Sequence, residues 1–429
     1  MVIHYLHIVR VALAPAKTDT PLLIDSKAVG YNQNKIMSEN EKVFGELPAS
    51  LVEEALSKSQ TVAQTLLDSF QNIRQQKGKW RTELLAAELL GKDADLPYVS
   101  TPTTAGVDGA CGVERLLAND FVVAAAVAVE GLAPPSNIYH WPEPRHLSFL
   151  ETETHEAETG SILRGLMMSF ELQIAVNAPH DVVFLDGSIT TPIIFFNQSL
   201  SKASEAPNLL ASQRLFQSID SALEAFYKIA SSTRSDRCWI AVPKYTTKRE
   251  IGQKMGWPES LDDRGLLTSI LEPGEYTKPL DLNQPAQPWH IGFEAAIKAC
   301  RQNGWVELES KLTTAQGWWE KAQSLVNTTK MVYYRPNAWI PALRIEMGAA
   351  VANNKTRLAT ALHAVKHQCG TPSVMEPYPL YMADRMVKHL PKTIPTFRQV
   401  ASQIIAESYE GDISEVFFGM HGYRTESGE

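Results

Sequence analysis

The chain has 429 residues, 44% hydrophobic and 21% charged, with a formal net charge of −8. This is a globular composition with room for one large domain or two ordinary ones. The acidic balance argues against a free-standing, strongly basic nucleic-acid binder, but leaves open a site rich in Asp and Glu whose charge a bound metal offsets. The four cysteines, Cys111, Cys238, Cys300 and Cys369, form no CxxC or Cys/His pair. A zinc site and a disulfide framework are therefore not expected, and a reducing cytoplasm fits. No run of 18 apolar residues is present, so no membrane span is expected.

In chain order, residues 1–48 read as a tail or extended start. His and Arg interrupt the apolar opening, which makes a poor secretory signal. Residues 49–92 read as helical, with Leu51, Ala55, Leu56, Val62, Leu66, Leu67 and Phe70 at helical spacing and a break at Lys77-Gly78-Lys79. Thr103 to Val107 reads as a short extended segment ending in Asp108-Gly109. Phe121 to Val129 reads as a buried strand, and Ile138 to Leu150 as an irregular one broken by Pro142 and Pro144. Glu156 to Val176 reads as a helix. Val182 to Leu185 reads as a buried strand ending in Asp186-Gly187-Ser188, Leu210 to Ala230 as a helix and Cys238 to Val242 as a strand.

Three strands, a crossover helix, a strand, a helix and a strand is the order of a ribonuclease-H-like core. The fold class expected is therefore α/β, a mixed sheet flanked by helices, with helical N-terminal and C-terminal elaborations. Residues 257–290, rich in Pro, Gly and Asp, read as a long loop region. Phe293 to Ala299, Leu308 to Val326, Arg357 to His367 and Phe397 to Glu407 read as helices, and Met331 to Ile345 as extended chain. No linker follows residue 243. One domain is expected over residues 49–424, with its core at 100–245, an elaborated part at 246–424 and a tail at 425–429.

The chemistry is expected at two Asp-Gly pairs. Asp108 and Asp186 each close an apolar strand in this reading, and the glycine after each allows a close approach. Glu171 is the only acid of its helix from Ile162 onward, and Met167, Met168, Ile174 and Ala175 surround it at helical spacing. A carboxylate on an apolar face needs a cation or a hydrogen-bond partner. Either Arg164, two turns earlier, or a divalent metal meets that need. Oxygen-only ligands favour Mg²⁺ or Mn²⁺. Two such ions would hydrolyse a phosphodiester without a Ser or Cys nucleophile. Trp318-Trp319 reads as core packing, with base stacking as the alternative.

The segments around Asp108-Gly109, Arg164 to Ala175 and Phe184 to Ser188 resemble the NurA family of nucleases. So, in order, do Ile240 to Lys244, Leu266 to Gly274, Arg344-Ile345-Glu346 and Tyr378 to Asp384. The resemblance implies a homodimeric DNA nuclease, dependent on manganese or magnesium, that works with the HerA hexameric ATPase. Its role would be end resection in DNA repair or degradation of DNA in anti-phage defence. It places metal ligation on Asp108, Glu171 and Asp186, and further catalytic roles on Tyr378 and a C-terminal His. His421 is taken for that His. His389 is the other candidate, and Asp384 stands where the His would be sought. Lys244, Lys248 and Arg249 are candidate DNA contacts, and Glu158 is a reserve carboxylate. The competing reading is a catalytically weak dimeric adaptor docking on an ATPase ring.

Overall fold

The computed structural model describes residues 47–132, 139–244 and 248–420. Two compact units divide the chain, residues 1–72 and 73–429. In chain order the elements are α1 (Ala49–Ala86), β1 (Leu90–Lys92), β2 (Thr104–Arg115), β3 (Asp120–Glu130), β4 (Arg145–Glu153), α2 (Thr159–Asn177), β5 (Val182–Asp186), α3 (Thr191–Glu205), α4 (Leu210–Ala230) and β6 (Cys238–Val242). There follow α5 (Glu250–Met255), α6 (Asp263–Ile270), β7 (Glu275–Thr277), β8 (Leu280–Asp281), α7 (Glu294–Gln302), α8 (Val306–Val326), β9 (Lys330–Arg335), β10 (Leu343–Met347), α9 (Ala349–Ala352), α10 (Lys355–Gln368), α11 (Tyr378–Ser408) and α12 (Ile413–Gly419).

In the first unit the described chain is the opening part of α1, where Leu51, Leu56, Val62, Leu66 and Phe70 are exposed. The expected N-terminal tail, apart from residues 47 and 48, lies outside the described residues, as do His421 and the tail at 425–429.

The second unit is built on one mixed sheet, ordered β1-β7-β9-β10-β6-β5-β2-β3-β4, with β8 on β9. β2, β5 and β6 are parallel. β2, β3 and β4 form an antiparallel meander. Side chains of a strand alternate between faces, and here both faces are covered. Leu163, Leu166 and Phe170 of α2, Leu215 and Phe226 of α4 and Trp319 of α8 pack on one. Leu358 and Leu362 of α10 and Leu380 of α11 pack on the other, against Phe184, Ile240 and Ile345. Among the described residues, no helix is long and apolar enough to cross a membrane.

Several expectations need correction. α1 runs through Gly78 without a break, because that glycine faces open space and its cost of about 1 kcal/mol falls on a long helix. β2 does not end at Asp108 but continues to Arg115, paired along its length with β3. The expected loop at 257–290 contains α6, β7 and β8. α3 was not foreseen; Pro192 opens it. α11 begins at Tyr378, well before Phe397, and carries Pro391 and Pro395 inside it. Pro391 and Ile394 lie against Gly112 of β2, whose missing side chain gives them room.

Candidate metal centre

Gly106, Asp108 and Gly112 share one face of β2, and that face meets α11. A Cβ at Gly106 would stand 2.5 Å from Leu380 N, so the start of α11 presses directly onto the strand. Asp384, one turn beyond Leu380, is thereby carried to Asp108. β5 runs parallel to β2 with Val107 beside Leu185. The next residue on each strand is an aspartate, Asp108 and Asp186, at the point where the pairing ends. Asp186 also pairs with Val242 of β6, and Lys244 follows two residues later. One oxygen from each of Asp108, Asp186 and Asp384 lies within 4.8 Å of the others.

The two Asp-Gly pairs repeat one local device. Gly109 N donates to Asp108 Oδ1 at 2.8 Å, and Gly187 N donates to Asp186 Oδ1 at 2.9 Å. Each bond fixes one oxygen of its carboxylate, and the other oxygen of Asp186 lies 3.4 Å from Lys244 Nζ. Gly187 has φ +76°, a left-handed turn that favours glycine. The residues after it are held from behind. Ser188 Oγ and Ile189 N donate to Glu346 Oε2 at 2.6 and 3.0 Å. Arg344, fully buried, bonds Glu346 at 2.7 Å and grips both oxygens of Glu250. This network gives the Arg344-Ile345-Glu346 segment a structural part in aiming Asp186.

Lys244 lies inside the cluster. Its Nζ is 3.1 Å from Asp384, 3.3 Å from Glu376 and 3.4 Å from Asp186. Burial works against the ammonium, but the charges of Asp186, Glu376, Asp108 and Asp384 outweigh it and hold its pKa above the usual lysine range. The acids show the converse strain. Burial, reinforced by Asp186, pushes Asp108 up to about 8, although Lys244 and the Gly109 N–H pull the other way. Burial also raises Glu376, against the pull of Lys244.

Glu171 approaches Asp108 from the opposite face of the sheet. A Cβ at Gly109 would meet its Oε1 at 2.5 Å and Met167 at 2.6 Å, so only glycine leaves room there. Burial first, then the charges of Asp108 and Asp186, raise Glu171 well above the usual carboxylate range. The Arg164 alternative is not realised: Arg164 is exposed and makes no ion pair with Glu171 among the described residues. Glu171 stands outside the group of three whose oxygens converge.

The other candidates are scattered. Tyr378 is half-buried at the first turn of α11, and His389 is exposed further along it. His421 lies outside the described residues. Glu158 is drawn to Lys202 at 3.7 Å. Lys248 is exposed. Arg249 spends its guanidinium on the carbonyls of Leu261, Trp257 and Pro258 at 3.2, 2.8 and 2.9 Å, which directs it into the fold. Trp319 is buried in the core and Trp318 stacks on Tyr227, which decides for packing. Asp384 and Glu376 were missed as site residues. Only the place of Asp384 in the Tyr-Pro segment signalled it, and Glu376 had no signal.

The donor set fits a divalent cation. Oxygens opposite each other on an octahedral Mg²⁺ or Mn²⁺ stand about 4.2 Å apart, at roughly 2.1 Å per bond. Oxygens within 4.8 Å of one another can therefore share one ion. A cation would also offset the burial, and the repulsion added to it, that raise Asp108 and Glu171.

Residues 102–287 match the family model described as the NurA domain. The crystal structure of the NurA nuclease from Sulfolobus solfataricus is similar at TM-score 0.50 and 12% identity, over 85% of this chain and 99% of that one. A crystal structure of NurA with manganese aligns at TM-score 0.47 and 12% identity, over 83% of this chain and 99% of that one. One of NurA bound to dAMP and manganese aligns at TM-score 0.44 and 13% identity, over 77% and 93%. A search of curated protein sequences found no match. Residues 102–287 thus carry the match to the NurA domain, and the fold is similar to that of the NurA nuclease from Sulfolobus solfataricus.

Proposed function

We propose that this chain is a metal-dependent DNA nuclease whose cations are held by Asp108, Asp186 and Asp384, with Glu171 completing the set from the opposite face. The observation that carries this reading is the convergence of three carboxylates from β2, β5 and α11. Bound Mn²⁺ or Mg²⁺ supplies an activated water and stabilises the leaving oxygen of a phosphodiester. Asp108 and Asp186 contribute their outward oxygens, while the following N–H groups keep the carboxylates from turning. Lys244 lies where the charge of a phosphate would be met, and the exposed Lys248 and the half-buried Arg249 keep their proposed roles as DNA contacts. Tyr378 and His421 keep their proposed catalytic roles, with Asp384 in place of a histidine ligand.

The order of the meander and the parallel strands supports a ribonuclease-H-like core, and residues 49–424 are read as one nuclease domain with β2 to β6 at its centre. The physiological reading is processing of DNA ends with a HerA-type hexameric ATPase, in repair or in defence against phage, in a reducing cytoplasm suited to four free thiols. A homodimer is part of this reading. A second reading, a dimeric adaptor for an ATPase ring, draws on the exposed Leu51, Leu56, Val62, Leu66 and Phe70 of α1.

The test is digestion of end-labelled linear DNA with Mn²⁺, Mg²⁺ or EDTA, with and without a HerA-type ATPase, beside Asp186→Asn. Metal-dependent digestion that Asp186→Asn abolishes supports the nuclease. A folded protein that binds the ATPase and never cleaves would leave the adaptor.

A further inference from the structure

At the opposite end of the parallel strands from the carboxylates, a cavity of about 260 Å³ opens beside the starts of β5 and β6. Two guanidinium groups line it, Arg237 and Arg357. Arg357 is 8% exposed, yet no carboxylate pairs with it among the described residues. Its partners are two carbonyls, Ser232 O at 3.5 Å and Arg237 O at 3.3 Å, beyond the usual range for a good hydrogen bond. Arg237 Nε is sealed from solvent with no acceptor.

The two acids in the cavity wall are already occupied. Asp181 Oδ2 accepts from Thr103 N at 2.7 Å and Thr103 Oγ1 at 2.8 Å. Asp236 is held by Arg234 at 2.7 and 3.0 Å. Burying a poorly matched cation is costly, and Arg357 meets only two distant carbonyls and the charge of the exposed Asp236, which it shares with the half-buried Arg237. An anion entering the cavity would relieve both.

We propose that this cavity binds a phosphate group, clamped by Arg237 and Arg357 with the hydroxyls of Ser100 and Ser235 as further donors. A guanidinium presents paired N–H groups that match a phosphate, and every donor in this set suits an acceptor-only ligand. The site is distinct from the carboxylates: β5 spans 5 residues between them, roughly 15 Å at about 3.3 Å per residue. The phosphate can come from inorganic phosphate, from the 5′ end of a nucleotide or from a nucleic-acid backbone.

Isothermal titration of the full chain in EDTA tests this, with inorganic phosphate, a 5′-phosphorylated dinucleotide and the same dinucleotide unphosphorylated. Saturable phosphate binding is expected, retained in Asp186→Asn and weakened at least tenfold in Arg237→Gln and Arg357→Gln. Arg357→Gln alters a buried group and risks unfolding, so the half-buried Arg237, with a circular-dichroism check, is the deciding position. Preference for the phosphorylated dinucleotide assigns a terminal phosphate. Equal binding of both dinucleotides, lost in Arg237→Gln, assigns the backbone. No saturable binding of any of the three to the wild-type chain overturns the proposal. So does binding that Arg237→Gln leaves unchanged.

Discussion

The parallel strands β5 and β6 carry opposite charge problems at their two ends. At the C-terminal ends, carboxylates from β2, β5 and α11 crowd together and one lysine answers several of them. At the N-terminal ends, two guanidiniums share a cavity whose acids are engaged elsewhere. Surface charges can ease such repulsion by turning to water. These groups are held, at one end by backbone N–H bonds and close glycine contacts, at the other by the burial of Arg357. Held like charges are an arrangement that a ligand of opposite sign completes, and the two ends differ in the sign they ask for.

The largest expected effect is at the acidic end. Asp186→Asn should reduce Mn²⁺-dependent cleavage of linear DNA by more than about a hundredfold, above the loss typical of outer-shell partners of a metal. Undiminished cleavage would remove the acidic end from the chemistry. Next, Mn²⁺ at about 100 times its dissociation constant should stabilise the wild-type chain by about 2.7 kcal/mol in thermal unfolding, reversed by EDTA. Asp108→Asn should erase most of that gain, and an undiminished gain would place the cation elsewhere.

Gly109→Ala should cost about 1–3 kcal/mol, as overpacking does, because the new methyl meets Glu171 and Met167. Chemical denaturation measures it. A neutral result would mean that Glu171 is free to withdraw, which would loosen its claim on the site. A further effect is with pH. Folded Asp108 keeps its proton to about 8, whereas the unfolded residue loses it near 4. Between those values the folded state holds the extra proton, so metal-free stability falls as pH rises through the window. Metal should flatten that slope, which urea titrations at several pH values would show.

The local elements were legible where one pattern ruled. Cys238 to Val242 and Leu210 to Ala230 match β6 and α4 because an unbroken apolar run and an amphipathic repeat leave little choice. Asp108-Gly109 misled, since the pair reads as a turn while the partner strand β3 holds it extended. The glycine there serves Glu171 on the far face, a contact between segments that spacing along the chain does not reveal. Asp108 and Asp186 could be singled out because each follows apolar residues. Asp384 was signalled only by its place in the Tyr-Pro segment and Glu376 not at all, because the chain returns to the sheet there from far along the sequence. Arg237 and Arg357 stand 120 residues apart in the sequence, and only the fold brings them into one cavity.

The docking of α11 on β2, glycine against backbone at Gly106 and glycine against proline at Gly112, has a mechanical consequence. Asp108 and Asp186 are anchored in the sheet, whereas Asp384 rides on a helix that carries Pro391 and Pro395 inside it. A cation shared among them would act as a clasp between helix and sheet. Hydrogen exchange of the first turns of α11 should then slow when metal binds, while that of β5 changes little. The ion would in this way fasten the architecture that presents it to DNA.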